Sequence, residues 1–416
     1  MEHALDNHYL QHQYENGLTL LGQNMEHVAS AAVTALISAG ASSDPVGGSG
    51  TAAVLSELIQ RGAGERDSRQ LSDFLNNLGL QRHIDAEREH IHVGGALLGA
   101  KLPQLLPAMF DVIRRPHLGS DDFESSRALA LQGLDALEDE PRAKAMIHLN
   151  ERFYPDPYGR PASGKREDLQ NLTAKAARQH FERRFMPAGS IISVAGAFDW
   201  DQLKQQLADL TKDWHGQADT APDPQHTLSG VHHLEQETAQ VQIGVAFAAP
   251  ALHEDDYYAA RGAVAVLSGG MSGRLFTEVR EKRGLVYAVS ASYHQVKTLG
   301  GIICYAGTTT DKAQQTIDVL LAELDRLKEG VDQSELERAK TGLKSALVMQ
   351  GESTTARAAS AARDYYHLGR VRSLEQIKDA IDALDAKTVS SYLKRRPPGK
   401  YAIQTLGEKP LQVSVA

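Results

Sequence analysis

Phe123-Glu124, followed downstream by Tyr158-Gly159-Arg160, returns as Leu336-Glu337 followed by Leu368-Gly369-Arg370, with an offset of 213 residues at the first pair and 210 at the second. A duplication constrains a fold more than any single motif, because both halves must satisfy one topology. Two cores are required in any case. The chain has 416 residues, and a single hydrophobic core stops growing near about 250–300 residues.

The order of elements recurs along with the residues. In the first half, Asn16-Gly17 predicts a hairpin, and the small-residue run Val28 to Ile37 predicts a strand. Gly40 to Gly50 then breaks regular structure. Ala52, Val54, Leu55, Leu58 and Ile59 recur at helical spacing, which predicts a helix over 51–61 with one buried face. Further helices are predicted over 102–114, 121–138, 141–153 and 174–185, then a strand over 190–195 and a helix from about Asp199. His215 to Gly230 is polar, aperiodic and contains Pro and Gly, so it reads as a linker between domains spanning 1–214 and 231–416. Beyond it come strands over 241–247, 285–293 and 301–307, a helix over 255–267, and long helices. Hairpin-joined strands with grouped helices predict an α+β class: two homologous domains, each a mostly antiparallel sheet with helices packed on one face.

Composition excludes several function classes. Hydrophobic residues make up 42% and charged residues 23%, enough apolar material for packed cores. A net charge of -9 argues against nucleic acid or an anionic membrane, since both need basic surface to displace counterions. No run approaches the roughly 18 apolar residues of a membrane span. The N-terminal sequence has neither a basic nor an apolar signal-like region, and the single cysteine, Cys304, cannot form an internal disulfide. The expected compartment is the cytoplasm, or the periplasm if a signal has been removed.

Three segments could carry chemistry. Gly269-Gly270-Met271-Ser272-Gly273 is a loop between two helices; it lacks phosphate-loop spacing and reads as a helix cap. Arg274, Arg280, Lys282 and Arg283 follow on one helix, leading into a strand in which Leu285, Tyr287, Val289, Ala291 and Tyr293 alternate. There Arg280 can serve the helix dipole and Tyr287 the core. Alternatively, guanidinium and phenol converge as two donors for one developing oxyanion. His90 and His92, with His83 or Glu87, could hold a metal from one strand face, although their spacing matches no familiar motif. Neither H-x-x-E-H nor H-E-x-x-H occurs.

From Tyr14-Glu15-Asn16-Gly17 through Leu384 the chain resembles the pitrilysin (insulinase-like) family of inverted zincins, and is similar to the half-length subunits of mitochondrial processing peptidase. The most specific stretch is Gly270 to Phe276 followed by Val279-Arg280-Glu281-Lys282-Arg283-Gly284-Leu285-Val286-Tyr287. The resemblance implies that Arg280 and Tyr287 contact the substrate carbonyl, and that Gly269, Gly270 and Gly273 lie in a substrate-engaging loop. It also places Ala53 at the first zinc-binding histidine, Ser56 at the general base, Glu57 at the second histidine and Gly133 at the distal glutamate. None of those four groups is present. Zinc catalysis needs about three protein ligands, an open position and a base, so the chain is expected to hold no zinc and to be inactive alone.

Half-length relatives work in pairs, which implies a partner of similar length bearing H-x-x-E-H and zinc, with an extended peptide as substrate. The alternative is a structural or assembly subunit of the same fold with no proteolytic role. A chain built to pair can also form a homodimer when isolated.

Overall fold

A computed structural model of the chain describes residues 9–219, 223–224 and 226–413. Met1 to His8, part of the segment without signal-like character, and Thr220 to Pro222 with Gln225, part of the polar linker, lie outside the described residues.

The first half runs β1 (Leu10–Gln13), β2 (Thr19–Asn24), β3 (Ser30–Ile37), α1 (Thr51–Leu58), the short hairpin β4 (Gly62–Ala63) and β5 (Arg66–Asp67), α2 (Ser68–Asn77), β6 (Gln81–Ala86) and β7 (Ile91–Leu98). Helices α3 (Leu102–Arg114), α4 (Ser120–Glu138), α5 (Pro141–Phe153), α6 (Arg166–Asn171) and α7 (Ala174–Arg184) follow, then β8 (Ile191–Gly196) and α8 (Trp200–Thr211). The second half runs β9 (Gly230–Glu235), β10 (Val241–Ala249), α9 (Tyr257–Ser268), a π-helical turn (Phe276–Glu281), β11 (Val286–Val296) and β12 (Leu299–Thr308). Helices α10 (Ala313–Arg326), α11 (Gln333–Gly351), α12 (Thr354–Leu368), α13 (Leu374–Asp382) and α14 (Ala386–Arg395) precede β13 (Ala402–Gly407). Local chemistry sets many of these boundaries. At the first hairpin Asn16 Oδ1 accepts from Leu18 N at 3.1 Å while Gly17 takes φ 84°, an Asx turn that only a residue tolerant of positive φ completes. Asp199 caps α8 by accepting from Gln202 N.

The duplication holds at the level of topology. One sheet has the order β1-β2-β8-β3-β7-β6 and the other β11-β12-β10-β13-β9. Read from β2 and from β9, each contains a single parallel pair, β2 with β8 and β9 with β13, followed by antiparallel pairs. The 213-residue offset carries α4 onto α11 end to end. Their repeated aromatic or aliphatic residues, Phe123 and Leu336, are both fully buried.

The compact units are not contiguous in sequence. The described residues of Met1–Asp135, Arg160–Pro222 and Met349–Leu374 form one, and those of Ala136–Gly159, Asp223–Val348 and Glu375–Ala416 the other. Each half thus lends a helix to the sheet of the other half: α12 packs on β3 and β8, and α5 on β10 and β13. Helices were expected on one sheet face only, and this exchange covers the second face. The cause is visible in β3, whose Ala31, Val33, Ala35 and Ile37 join the main core while Ala32 and Leu36 on the reverse face meet Ala358, Ala361 and Ala362. A strand apolar on both faces needs cover on both. In the second unit, Gly244 and Gly301 make the room: a Cβ there would lie 2.9 Å from Leu149 Cδ2 and 2.5 Å from Phe153 Cε1.

Candidate functional site

Arg280 and Tyr287 belong to the second unit, and two backbone irregularities present them. Helix α9 ends at Gly269, and Gly270 turns the chain at φ 104°. Gly273 then accepts from Thr277 N to start the next helix, and a Cβ on it would lie 2.8 Å from Leu267 O. The glycines predicted to engage substrate therefore also cap two helices, leaving Met271 75% exposed at the loop tip. From Phe276 the helix widens into a π turn, with Lys282 N donating to Thr277 O at 3.0 Å. Such single turns concentrate at functional positions.

The second irregularity is a bulge at the start of β11. Val286 pairs with Thr308 and Ala288 with Gly307, so Tyr287 is an extra residue without a partner. Alternation in the sequence groups Tyr287 with Leu285 and Ala291, which are buried; the bulge resets that phase and turns the phenol outward, 80% exposed. The Arg280 guanidinium carbon lies 5.1 Å from the Tyr287 ring centroid and 4.9 Å from that of Phe276, within cation–π range. Phe276 is a member of this site that sequence reasoning missed; its signal is the position four residues before Arg280 on a helix.

The neighbouring cations are occupied. Arg274 is buried and forks onto Glu335, Nε to Oε1 at 3.0 Å and Nη2 to Oε2 at 2.7 Å, while also donating to Gly330 O. Lys282 and Arg283 both donate to Glu278, at 2.7 and 2.8 Å. Those two cations pull the Glu278 carboxyl down to about 2. Among the described residues, Arg280 alone of the four pairs with no carboxylate. The phenol is exposed and the guanidinium is held by rings rather than by a carboxylate, so both groups keep donors available to a ligand.

The positions equivalent to a zinc site do not fit a metal. Ala53 and Glu57 share the half-buried face of α1, but Ala53 offers a methyl group, and buried Ser56 returns its hydroxyl proton to Ala53 O at 2.8 Å. Gly133, exposed on α4, has open space where a side chain would stand. One carboxylate, Glu57, is left, and one ligand does not hold zinc. The helix is nonetheless firmly seated: the Asp44 carboxylate accepts from Gly50 N at 2.7 Å and Ala52 N at 2.9 Å, and burial pushes its pKa up to about 7.

The histidines read as an alternative metal site serve packing instead. His90 is buried edge-on against Tyr366 of α12, ring centroids 4.4 Å apart, and burial lowers its pKa to about 3. His92 Nε2 sits 3.3 Å from Glu87. His83 lies on β6, across from Gly94. Among the described residues, no three of His, Cys, Asp and Glu are grouped to hold a metal ion.

Sequence comparison places this geometry. Residues 19–165 match the family described as insulinase (peptidase family M16), and residues 171–343 match the peptidase M16 inactive domain. The chain belongs to the M16, or insulinase-like, peptidase family. An uncharacterized zinc protease of Mycobacterium tuberculosis is 24% identical over 404 residues, covering 94% of this chain and 91% of that protein. One from Bacillus subtilis is 23% identical over 396 residues, covering 94% and 96%. Among solved structures, a peptidase M16 inactive domain from Pseudomonas fluorescens superposes with a TM-score of 0.86 at 20% identity, over 98% of this chain and 100% of that one. A protease from Helicobacter pylori does so with a TM-score of 0.86 at 18% identity, over 97% and 100%. At these identities the structural likeness establishes the fold. No described helix is long and apolar enough to cross a membrane.

Proposed function

We propose that the chain is the non-catalytic subunit of a heterodimeric zinc metallopeptidase, with the zinc held by an H-x-x-E-H-bearing partner of similar length. Arg280 and Tyr287 bind the carbonyl of an extended peptide in the partner's active site, and their two donors stabilise the oxyanion that develops on it. The loop around Gly269, Gly270 and Gly273 borders the peptide's path. A working location is the cytoplasm, in keeping with the lone, buried Cys304.

The observation that carries this reading is the open Arg280–Tyr287 pair. A scaffold gains nothing from an exposed phenol in a bulge beside a guanidinium without a counter-ion, whereas an oxyanion gains two preorganised donors. The degenerate positions Ala53, Ser56, Glu57 and Gly133 support a reading in which the metal belongs to another chain rather than to this one. Losing one such donor raises a barrier by about 2.7–4 kcal/mol.

The test is affinity capture of the full chain from its native extract, with mass-spectrometric identification of proteins recovered in equal amount, followed by peptide turnover of the recovered pair. A partner carrying H-x-x-E-H, with turnover lost in Arg280→Ala, is the expected result. Capture of a membrane assembly, or turnover unchanged by Arg280→Ala, overturns the reading in favour of a structural subunit.

A further inference from the structure

The π turn that carries Arg280 is held by a cluster of charges to which the reading above gives no role. Its centre is Glu278, a carboxylate in the middle of the turn and largely buried. Glu278 accepts from Lys282, four residues on, and from Arg283, five residues on, and Arg283 Nη1 also donates to the Glu278 carbonyl at 2.7 Å. In an α-helix the residue at i+4 lies over residue i, but the residue at i+5 has rotated to another face. Here the bond from Lys282 N to Thr277 O widens the turn, and Arg283, just past its end, comes round to the same carboxylate as Lys282. One carboxylate reaching both cations therefore favours the π geometry over the α geometry. A third cation, Arg326 at the end of α10, approaches Glu278 at 3.8 Å and ties the turn to a second helix.

The extra residue of a π turn rotates everything after it. Arg280 follows Glu278 by two positions, and its guanidinium reaches Tyr287, itself displaced by one extra residue in the bulge of β11. Two single-residue insertions, one in a helix and one in a strand, meet at this pair. We propose that Glu278 is a positioning residue: by holding Lys282 and Arg283 together it keeps the turn π-helical and so keeps Arg280 stacked on Tyr287. The inference deepens the peptide-contact reading and rests on it for its catalytic consequence, but not for its geometry.

The geometry is tested first, on the full chain labelled with ¹⁵N-arginine. The Arg280 Nε–Hε signal, identified by its absence in Arg280→Lys, feels the ring current of Tyr287, so Tyr287→Leu displaces it. In Glu278→Gln, most of that displacement is expected to vanish. Arg283→Met, which removes one tether at a partly solvent-facing side chain, is expected to reduce it as well, and it carries the test if Glu278→Gln fails to fold. Equal displacement by Tyr287→Leu in all backgrounds overturns the proposal.

Turnover of the reconstituted pair is the second arm. A misplacement on the order of 1 Å costs about a hundredfold, so Glu278→Gln is expected to lower kcat by about that factor with little change in KM. In an Arg280→Ala background it should have no further effect, because both changes act through one group. An additional loss in that background overturns the positioning role. If the ring-current displacement disappears while turnover is untouched, Glu278 still positions Arg280, and the assignment of Arg280 to peptide contact is what falls.

Discussion

Among the described residues, neither Arg280 nor Tyr287 makes a side-chain hydrogen bond or ion pair, only ring contacts, and this separates their functional weight from their structural weight. Truncating Arg280 removes two ring contacts, each worth about 0.5–1 kcal/mol at an exposed site, and leaves no buried group unpaired. Tyr287→Phe keeps the ring and removes only a solvent-facing hydroxyl. Both variants should therefore unfold in denaturant within about 1–2 kcal/mol of wild type, while the reconstituted peptidase slows about a hundredfold or more. A variant that loses activity and stability together would mark the pair as structural. The metal side gives a complementary expectation. With Ala53, Ser56, Glu57 and Gly133 in place, a chelator should leave the melting temperature of the isolated chain unchanged and elemental analysis should find no stoichiometric zinc. These residues could be singled out as candidates from the sequence because motif spacing is linear. The outward turn of Tyr287 was not, since strict alternation assigns it to the face of Leu285 and Ala291, and a bulge leaves no mark in a single sequence.

Helices α3 and α5 begin and end where their apolar spacing and flanking residues predict, at Leu102 and Arg114 and at Pro141 and Phe153. Periodicity cannot say which sheet an amphipathic helix will cover, so the exchange of α5 and α12 was invisible, although α5 was legible to its ends and α12 fell among the long helices expected late in the chain. What decides it is complementarity: Ala145, Leu149 and Phe153 are fully buried in the second unit, Gly244 and Gly301 receiving the last two, while α12 sets buried Ala358, Ala361 and Ala362 against the reverse face of β3, with Tyr365 and Tyr366 packed beside them. Leu149→Ala should accordingly destabilise the second unit by about 2–5 kcal/mol, the cost of lost transfer energy plus a cavity. Leu129→Ala on α4, where the side chain is 42% exposed, should change stability by no more than about 0.5 kcal/mol. Urea unfolding followed by far-UV circular dichroism checks both. Equal effects would mean that the exchanged helix adds little to the core it covers. The π turn escaped prediction for a related reason: its signal is a carboxylate with cations at both i+4 and i+5, a pattern that reads as an ordinary salt-bridged helix until the i+5 hydrogen bond is seen.

Across the whole molecule, the buried titratable groups are distributed unevenly, and this gives the two units different acid limits. In the first unit burial lowers His90 from 6.5 to about 3 and His180 from 6.5 to about 4. Each stays neutral in the folded state while the unfolded chain takes up a proton, so stability is complete above pH 6.5 and declines as pH falls toward those values. Asp44 works the other way. Raised from 3.8 to about 7, it favours the folded state at low pH and withdraws that support as pH rises. Between pH 6.5 and 4 the histidines account for two protons taken up on unfolding and Asp44 for one released, so these three groups together withdraw about 1.4 kcal/mol per pH unit on acidification. In the second unit His232, half-buried, is the one histidine among the described residues whose pKa is lowered. Glu278, depressed to about 2, gives support that is complete above 4.5 and is lost only below that value as pH falls toward 2. The first unit should thus unfold at higher pH than the second. Both tryptophans of the chain, Trp200 and Trp214, lie in the first unit, so their fluorescence reports on it alone, and it should change before far-UV circular dichroism completes its transition. His90→Gln should shift the fluorescence midpoint to lower pH. Coincident transitions in wild type, unmoved by His90→Gln, would mean that the two units unfold as one and that the buried histidine does not set the limit.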